Sequence, residues 1–238
     1  MIDKKVRAFV FWSVLVMVGL MASCSNPVKD EEEEIERAYQ DSLAQAAIDD
    51  EIIENYLDAQ GYSGVESTDD GIRYVVTQSG NGSFPKINDI VSVDFVGKLP
   101  NGDVFDTTVK EVAITTDSAA WVAAGVDVSG LMTDTGQSID VLIDSLQYYD
   151  GSLDYNVFSI LKNYVPLTYN YTSSGSGIPS GYITGFKTGL RLLTPQIDKE
   201  SESMTIFPSA VGYATVDNVR IPANSVLIFE FTLTNIRP

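Results

Sequence analysis

The side chains able to do chemistry are distinguished first by what they lack. The chain has no histidine and a single cysteine, Cys24. A Ser-His-Asp or Cys-His nucleophile is therefore excluded, as are a zinc site of Cys and His ligands and an internal disulfide. There are 33 acidic residues, but no D-x-D-x-D-G loop with its following glutamate, so no calcium loop is expected. Gly80 and Gly82 have no lysine or helix start behind them, which argues against a phosphate-cradling loop. What stays in view is a carboxylate set directly behind an aromatic ring, Phe105-Asp106. The pair lies in the stretch VSVDFVGKLPNGDVFDTT, from Val91 to Thr108.

That stretch has its own positioning logic. Val91, Val93 and Phe95 alternate with Ser92, Asp94 and Val96, the period of a strand with one buried face. Pro100-Asn101-Gly102-Asp103 is turn chemistry, because proline presets one dihedral and Asn-Gly tolerates positive φ. Val104-Phe105 begins the return strand. A formal net charge of −18 argues against nucleic acid, since no excess of cations is available to displace counterions from phosphates.

The chain before this hairpin changes character several times. Lys4, Lys5 and Arg7 precede an apolar run, Ala8 to Ala22, the pattern of a secretory signal. The run is shorter than the roughly 20 residues of a comfortable membrane span. It ends Leu20-Met21-Ala22-Ser23-Cys24, which resembles the lipobox of bacterial lipoproteins. That resemblance implies a signal peptide over 1–23, lipidation of Cys24 and anchorage to a bacterial membrane on its extracytoplasmic side, outer membrane or cell surface included. Asp30 to Glu34 are five consecutive acids and read as solvated tether. Ile35, Tyr39, Leu43, Ala46, Ala47, Ile53, Tyr56 and Leu57 recur at three- and four-residue steps. They indicate one helix, or two broken near Asp49-Asp50, within an acidic tether and helical segment over 24–60. Gly61 is a natural stop.

From 61 to 238 the pattern is that of one domain. Gly71 to Val76 reads as a strand. Residues 109–163 form an insertion with some helix of its own: Ile139, Leu142, Ile143 and Leu146 fit one helical face, and Val157, Ile160 and Leu161 suggest a second. YVPLTYNY, Tyr164 to Tyr171, returns to strand alternation. Ile183 to Leu193 reads as strand end, turn and short helix, closed by Pro195. Met204 to Pro208 and Val226 to Ile236 are further strands.

Three separated stretches resemble, in order, the FKBP-type peptidyl-prolyl isomerases. They are VSVDFVGKLPNGDVFDTT, then GYITGFKTGL from Gly181 to Leu190, then MTIFPSAVGYA followed by IPANSVLIFEFTL. The resemblance implies an α+β fold, a curved antiparallel β-sheet wrapped around a short helix. It also implies a site. Phe105 and Phe229 match aromatic walls of a proline pocket, and Phe186 its floor, where tryptophan is usual. The Ile183 backbone N–H matches the donor to a substrate carbonyl, Tyr213 the phenol that donates to the ligand, and Asp106 the pocket carboxylate. Leu167 falls where an aromatic is common, and Tyr182 where a smaller apolar residue is. Phe95 replaces a tyrosine, and Ala214 stands where glycine usually follows the loop tyrosine.

The expected function is peptidyl-prolyl cis-trans isomerisation of X–Pro bonds in exported proteins, without cofactor or metal. Its partners are proline-containing polypeptides and, through the lipid anchor, a membrane. The alternative is a non-catalytic FKBP-like binding module or chaperone lipoprotein that uses the insertion as contact surface.

Overall fold

The computed structural model describes residues 27–139, 141–142, 164–217 and 220–238. The signal peptide expected over 1–23, the lipidation expected at Cys24 and the helical faces expected at Ile143, Leu146 and 157–161 lie outside them. The chain divides into two compact units, Met1–Gln45 and Ala46–Pro238.

Helix α1 runs Pro27–Gln60 without a break at Asp49-Asp50. Pro27 suits the first turn, where its missing N–H is no loss. The acids Asp30 to Glu34, read above as tether, belong to this helix. Negative charge near a helix N-terminus is favourable, so an acidic run need not stay unfolded there. Glu33 pairs with Arg37 at 3.2 Å and Glu36 accepts from Gln40 at 2.8 Å, both one turn apart. In the first unit Ile35, Tyr39 and Leu43 are exposed. Gly61 ends the helix in the left-handed region (φ 69°), its N–H donating to the Leu57 carbonyl at 3.0 Å.

The second unit is a seven-stranded antiparallel sheet. Its strands are β1 (Glu66–Ser67), β2 (Arg73–Gln78), β3 (Ile90–Lys98), β4 (Val104–Thr107), β5 (Leu167–Asn170), β6 (Glu202–Phe207) and β7 (Leu227–Arg237). They lie in the order β1-β2-β6-β7-β3-β4, with β5 also on β3. β3 is the hub: β7 covers one edge along its full length, while β5 takes residues 90–93 and β4 residues 96–98 of the other. Its burial alternates as the sequence indicates, with Val91, Val93 and Phe95 inside. The turn after it closes through Leu99 N–H to Asp103 and Gly102 N–H to Leu99, each 2.9 Å.

β6 does not alternate, because both of its faces are covered. On one face Met204 and Ile206 join Val75, Val226 and Ile228 under Ile53 and Leu57 of α1. Arg73 secures that contact, reaching Asp50 at 2.6 Å and Glu54 at 2.9 Å. On the other face lies the short helix α4 (Thr184–Leu193), numbered after α2 (Lys110–Ala123) and α3 (Val128–Thr135) of the insertion. Gly189 allows α4 a close approach: a Cβ there would stand 2.6 Å from Cβ of Thr205. Ile183 is the N-cap of α4, with no strand leading into it. The larger core, with Val93, Leu167, Phe186, Leu190 and Phe231, fills the space between α4 and the sheet.

The insertion carries helices that periodicity did not assign. α2 is rich in β-branched residues and buries only Ala113, Asp117 and Trp121, one position per turn. Trp121 and Leu142 are its small core, with Ile114, Val126, Leu131 and Ile139 around them.

Candidate functional site

Three strands and one helix bring the expected rings together. Phe95 comes from β3, Phe105 from β4, Phe229 from β7 and Phe186 from the first turn of α4. Phe105 and Phe229 meet edge to face at 5.4 Å, and Phe186 meets Phe229 at 4.9 Å and Phe95 at 5.4 Å. Such T-shaped pairs suit the ring quadrupole and contribute about 0.5–1.5 kcal/mol each beyond area burial. Gly97 makes the closure possible. It sits opposite Asp106 on one side and Phe229 on the other. A Cβ at Gly97 would fall 2.7 Å from the Phe105 ring and 2.8 Å from Phe229. Leu167 lies in the same core from β5. Two further rings extend the set, Phe231 at 5.3 Å from Phe186 and Phe207 stacked 5.9 Å from Phe229. The signal for Phe231 was its two-residue offset from Phe229, which puts both rings on one strand face.

Asp106 is partly exposed near the end of β4. The two threonines behind it lock that end to β3. Thr107 Oγ1 donates to the Phe95 carbonyl at 2.9 Å, and Thr108 Oγ1 accepts from Phe95 N–H at 2.9 Å and donates to Asp94 at 2.8 Å. Two phenols lie in the field of Asp106. Burial pushes the Tyr213 hydroxyl above its ordinary pKa, and the Asp106 charge adds to the shift. Burial and then Asp106 do the same to Tyr182. Both are therefore protonated donors at neutral pH.

Tyr213 is 38% exposed and is positioned by a short chain of contacts. It follows a 3-10 turn, Ser209–Val211. The Ser209 carbonyl accepts from Gly212 and Ala214 N–H, both at 2.9 Å. Ser209 is itself held by Asp49 of α1, whose carboxylate accepts from its N–H at 2.8 Å and its hydroxyl at 2.7 Å. In the sequence Asp49 stands out only as a possible helix break, because no local pattern shows a carboxylate bonding 160 residues away. Ala214 has φ 49°, a left-handed conformation that glycine would take without strain.

Ile183, with φ −63° and ψ 159°, caps α4, and its carbonyl accepts from Lys187 at 3.1 Å. Its N–H has no acceptor among the described residues. Tyr182, which stands where a smaller apolar residue is common in the family, lies flat on Phe186, centroids 4.3 Å apart and 13° between planes. Among the described residues no group of three or more His, Cys, Asp or Glu side chains could hold a metal.

A family model described as FKBP-type peptidyl-prolyl cis-trans isomerase matches residues 81–234. The chain belongs to this family. It resembles the FKBP-type peptidyl-prolyl cis-trans isomerase FkpA of Aeromonas hydrophila, 31% identical over 108 residues, 40% of each chain. It also resembles the peptidyl-prolyl cis-trans isomerase Mip of Coxiella burnetii, 45% identical over 47 residues, 20% of each. The matched part is thus 40% or less of these FKBP relatives' own lengths. A solved peptidyl-prolyl cis-trans isomerase from Pseudomonas syringae is 16% identical with TM-score 0.43, over 83% of this chain and 96% of that one. FkpA from Escherichia coli is 19% identical with TM-score 0.41, over 100% of this chain and 83% of that one.

Proposed function

We propose that this FKBP-family chain catalyses cis-trans isomerisation of X–Pro bonds in exported polypeptides, using the ring cluster and no cofactor. The observation that carries this reading is the convergence of Phe95, Phe105, Phe186 and Phe229 beside Asp106 and the Tyr213 phenol.

Rotation about a peptide bond meets a barrier of about 18–20 kcal/mol because resonance holds the amide planar. At the twisted transition state that resonance is lost and the amide dipole weakens. An apolar surround disfavours the planar form relative to the twisted one, so no nucleophile is required. Aromatic rings supply that surround. The Tyr213 hydroxyl and the Ile183 N–H are donors for the carbonyls flanking the proline. Only contacts that strengthen as the bond twists raise the rate. Leu167 contributes apolar wall, and Asp106 orients the peptide or the phenols beside it.

Anchorage is the second part of the proposal. The Leu20 to Cys24 sequence supports lipidation of Cys24 and residence on an extracytoplasmic membrane face. Mass spectrometry of the protein from a bacterial envelope should find a shortened, acylated N-terminus at Cys24; an intact Met1 overturns this part.

A protease-coupled assay on a proline tetrapeptide tests the enzyme. Wild-type protein should accelerate the slow phase, and Tyr213→Phe and Asp106→Ala should each lower kcat/KM while the fold persists. Wild-type rates in both variants would mean that the site is elsewhere. No acceleration by the wild type would leave the non-catalytic binding reading.

A further inference from the structure

We infer that Tyr182 is the gate of the ring cluster: its side chain occupies the face of Phe186 on which a substrate's prolyl ring would lie, and a peptide enters only by displacing it. This rests on the isomerase reading for the identity of the peptide, but the occupancy itself is geometric. Phe186 is 0% exposed. Phe95, Phe229 and Phe231 meet it at 77°, 83° and 69°, steeply inclined to its plane and not parallel to it. Tyr182 alone, among the ring contacts described, stacks on it, at 4.3 Å and 13°.

Tyr182 also meets Phe95 edge-on at 6.1 Å. The charge of Asp106 acts on the Tyr182 phenol and on the Tyr213 phenol alike. The stacked ring therefore has Phe95 at its edge and its phenol in the field of Asp106.

Tyr182 is held there by packing. Its hydroxyl has no hydrogen-bond partner among the described residues. It is carried on a connection and not inside a helix: Ser180 and Gly181 before it are exposed, and a side chain at Gly181 would meet open space. Rotation of the Tyr182 ring about its own side-chain bonds would uncover Phe186; the connection before it stays put, since Ile178 is buried in the main core and Gly175 lies against Arg191 of α4. A state with the ring in place cannot bind proline. The apparent affinity for a peptide is then lowered by the fraction of molecules in that state.

The test measures binding and rate separately on the purified full chain, with a tetrapeptide that has Leu-Pro at its centre. Peptide affinity is read by NMR titration and kcat/KM by the protease-coupled assay. Tyr182→Val should tighten binding and raise kcat/KM by about 2- to 12-fold, the range an aromatic stack corresponds to. Tyr182→Trp, whose larger ring covers more of Phe186, should weaken binding. If Tyr182→Val does not fold, Tyr182→Leu carries the same expectation. Unchanged or weaker binding in the aliphatic variant overturns the gate and shows Tyr182 to be a binding wall; the isomerase reading then stands or falls on the wild-type rate alone. Tighter binding with no catalysis by any form supports the gate and removes the isomerase reading.

Discussion

Replacing Asp49 by alanine should both destabilise the domain and loosen the site. Asp49 is 1% exposed on α1, and its carboxylate accepts from the N–H of Ser209 at 2.8 Å and the hydroxyl at 2.7 Å. Ser209 is equally buried, so no water replaces the lost acceptor. Hydrogen bonds to a charged group contribute about 1.5–3 kcal/mol each, and a buried donor left alone costs about 1–3 kcal/mol. The carboxylate's own desolvation penalty, of the order of a few kcal/mol, disappears with it and offsets part of the loss. The net expectation is a loss of about 2–4 kcal/mol, a large share of the roughly 5–15 kcal/mol that stabilises a typical domain. For a unit of this size that lowers Tm by roughly 4–16 °C. Asp49→Asn keeps one acceptor oxygen and should lose about half as much, since a neutral bond contributes about 1 kcal/mol. Because the Ser209 turn leads directly to Tyr213, any isomerase rate should fall in Asp49→Ala at temperatures where it is still folded. Thermal melts and urea titrations of the three proteins decide the matter. An Asp49→Ala protein that melts with the wild type would show that α1 does not hold this turn.

Gly97→Ala should push Phe105 and Phe229 apart, since its methyl would stand 2.7–2.8 Å from both rings. Overpacking of this kind costs about 1–3 kcal/mol, and the near-ultraviolet circular dichroism should change; an unaltered spectrum and melt would remove the close-approach account. Asp198 governs the acid limb. The Gly80 N–H at 2.8 Å and then the Gly82 N–H at 2.5 Å hold its carboxyl below the ordinary range. The folded pKa thus lies under the unfolded value of about 3.9, so its contribution is present above about pH 4 and is lost as pH falls through the folded value. Asp198→Asn should flatten the stability profile below pH 4, and matching acid slopes in both proteins would refute the assignment.

Much of the architecture is legible before any coordinates. Alternation of Val91, Val93 and Phe95 identifies β3, Pro100 to Asp103 its turn, and Pro195 the end of the short helix α4. These are local signals, and burial of one face enforces the alternation whatever the neighbours are. The insertion was harder. α2 buries one residue per turn among β-branched positions, too sparse a stripe to rise above the background.

By itself the sequence determined the position of the main strands, the buried face of β3, the short helix α4, the exclusion of histidine chemistry, and the aromatic positions in their family arrangement. The tertiary structure alone decided that Phe105, Phe186 and Phe229 meet, that Gly97 is the residue whose lack of a side chain lets them, and that Asp49 reaches Ser209. It alone put Tyr182 flat on Phe186. The physical reason is range. A hydrophobic period reports which way a side chain points, but which partner it finds depends on register and on the closeness of two backbones far apart in the chain, and neither is written into any local pattern.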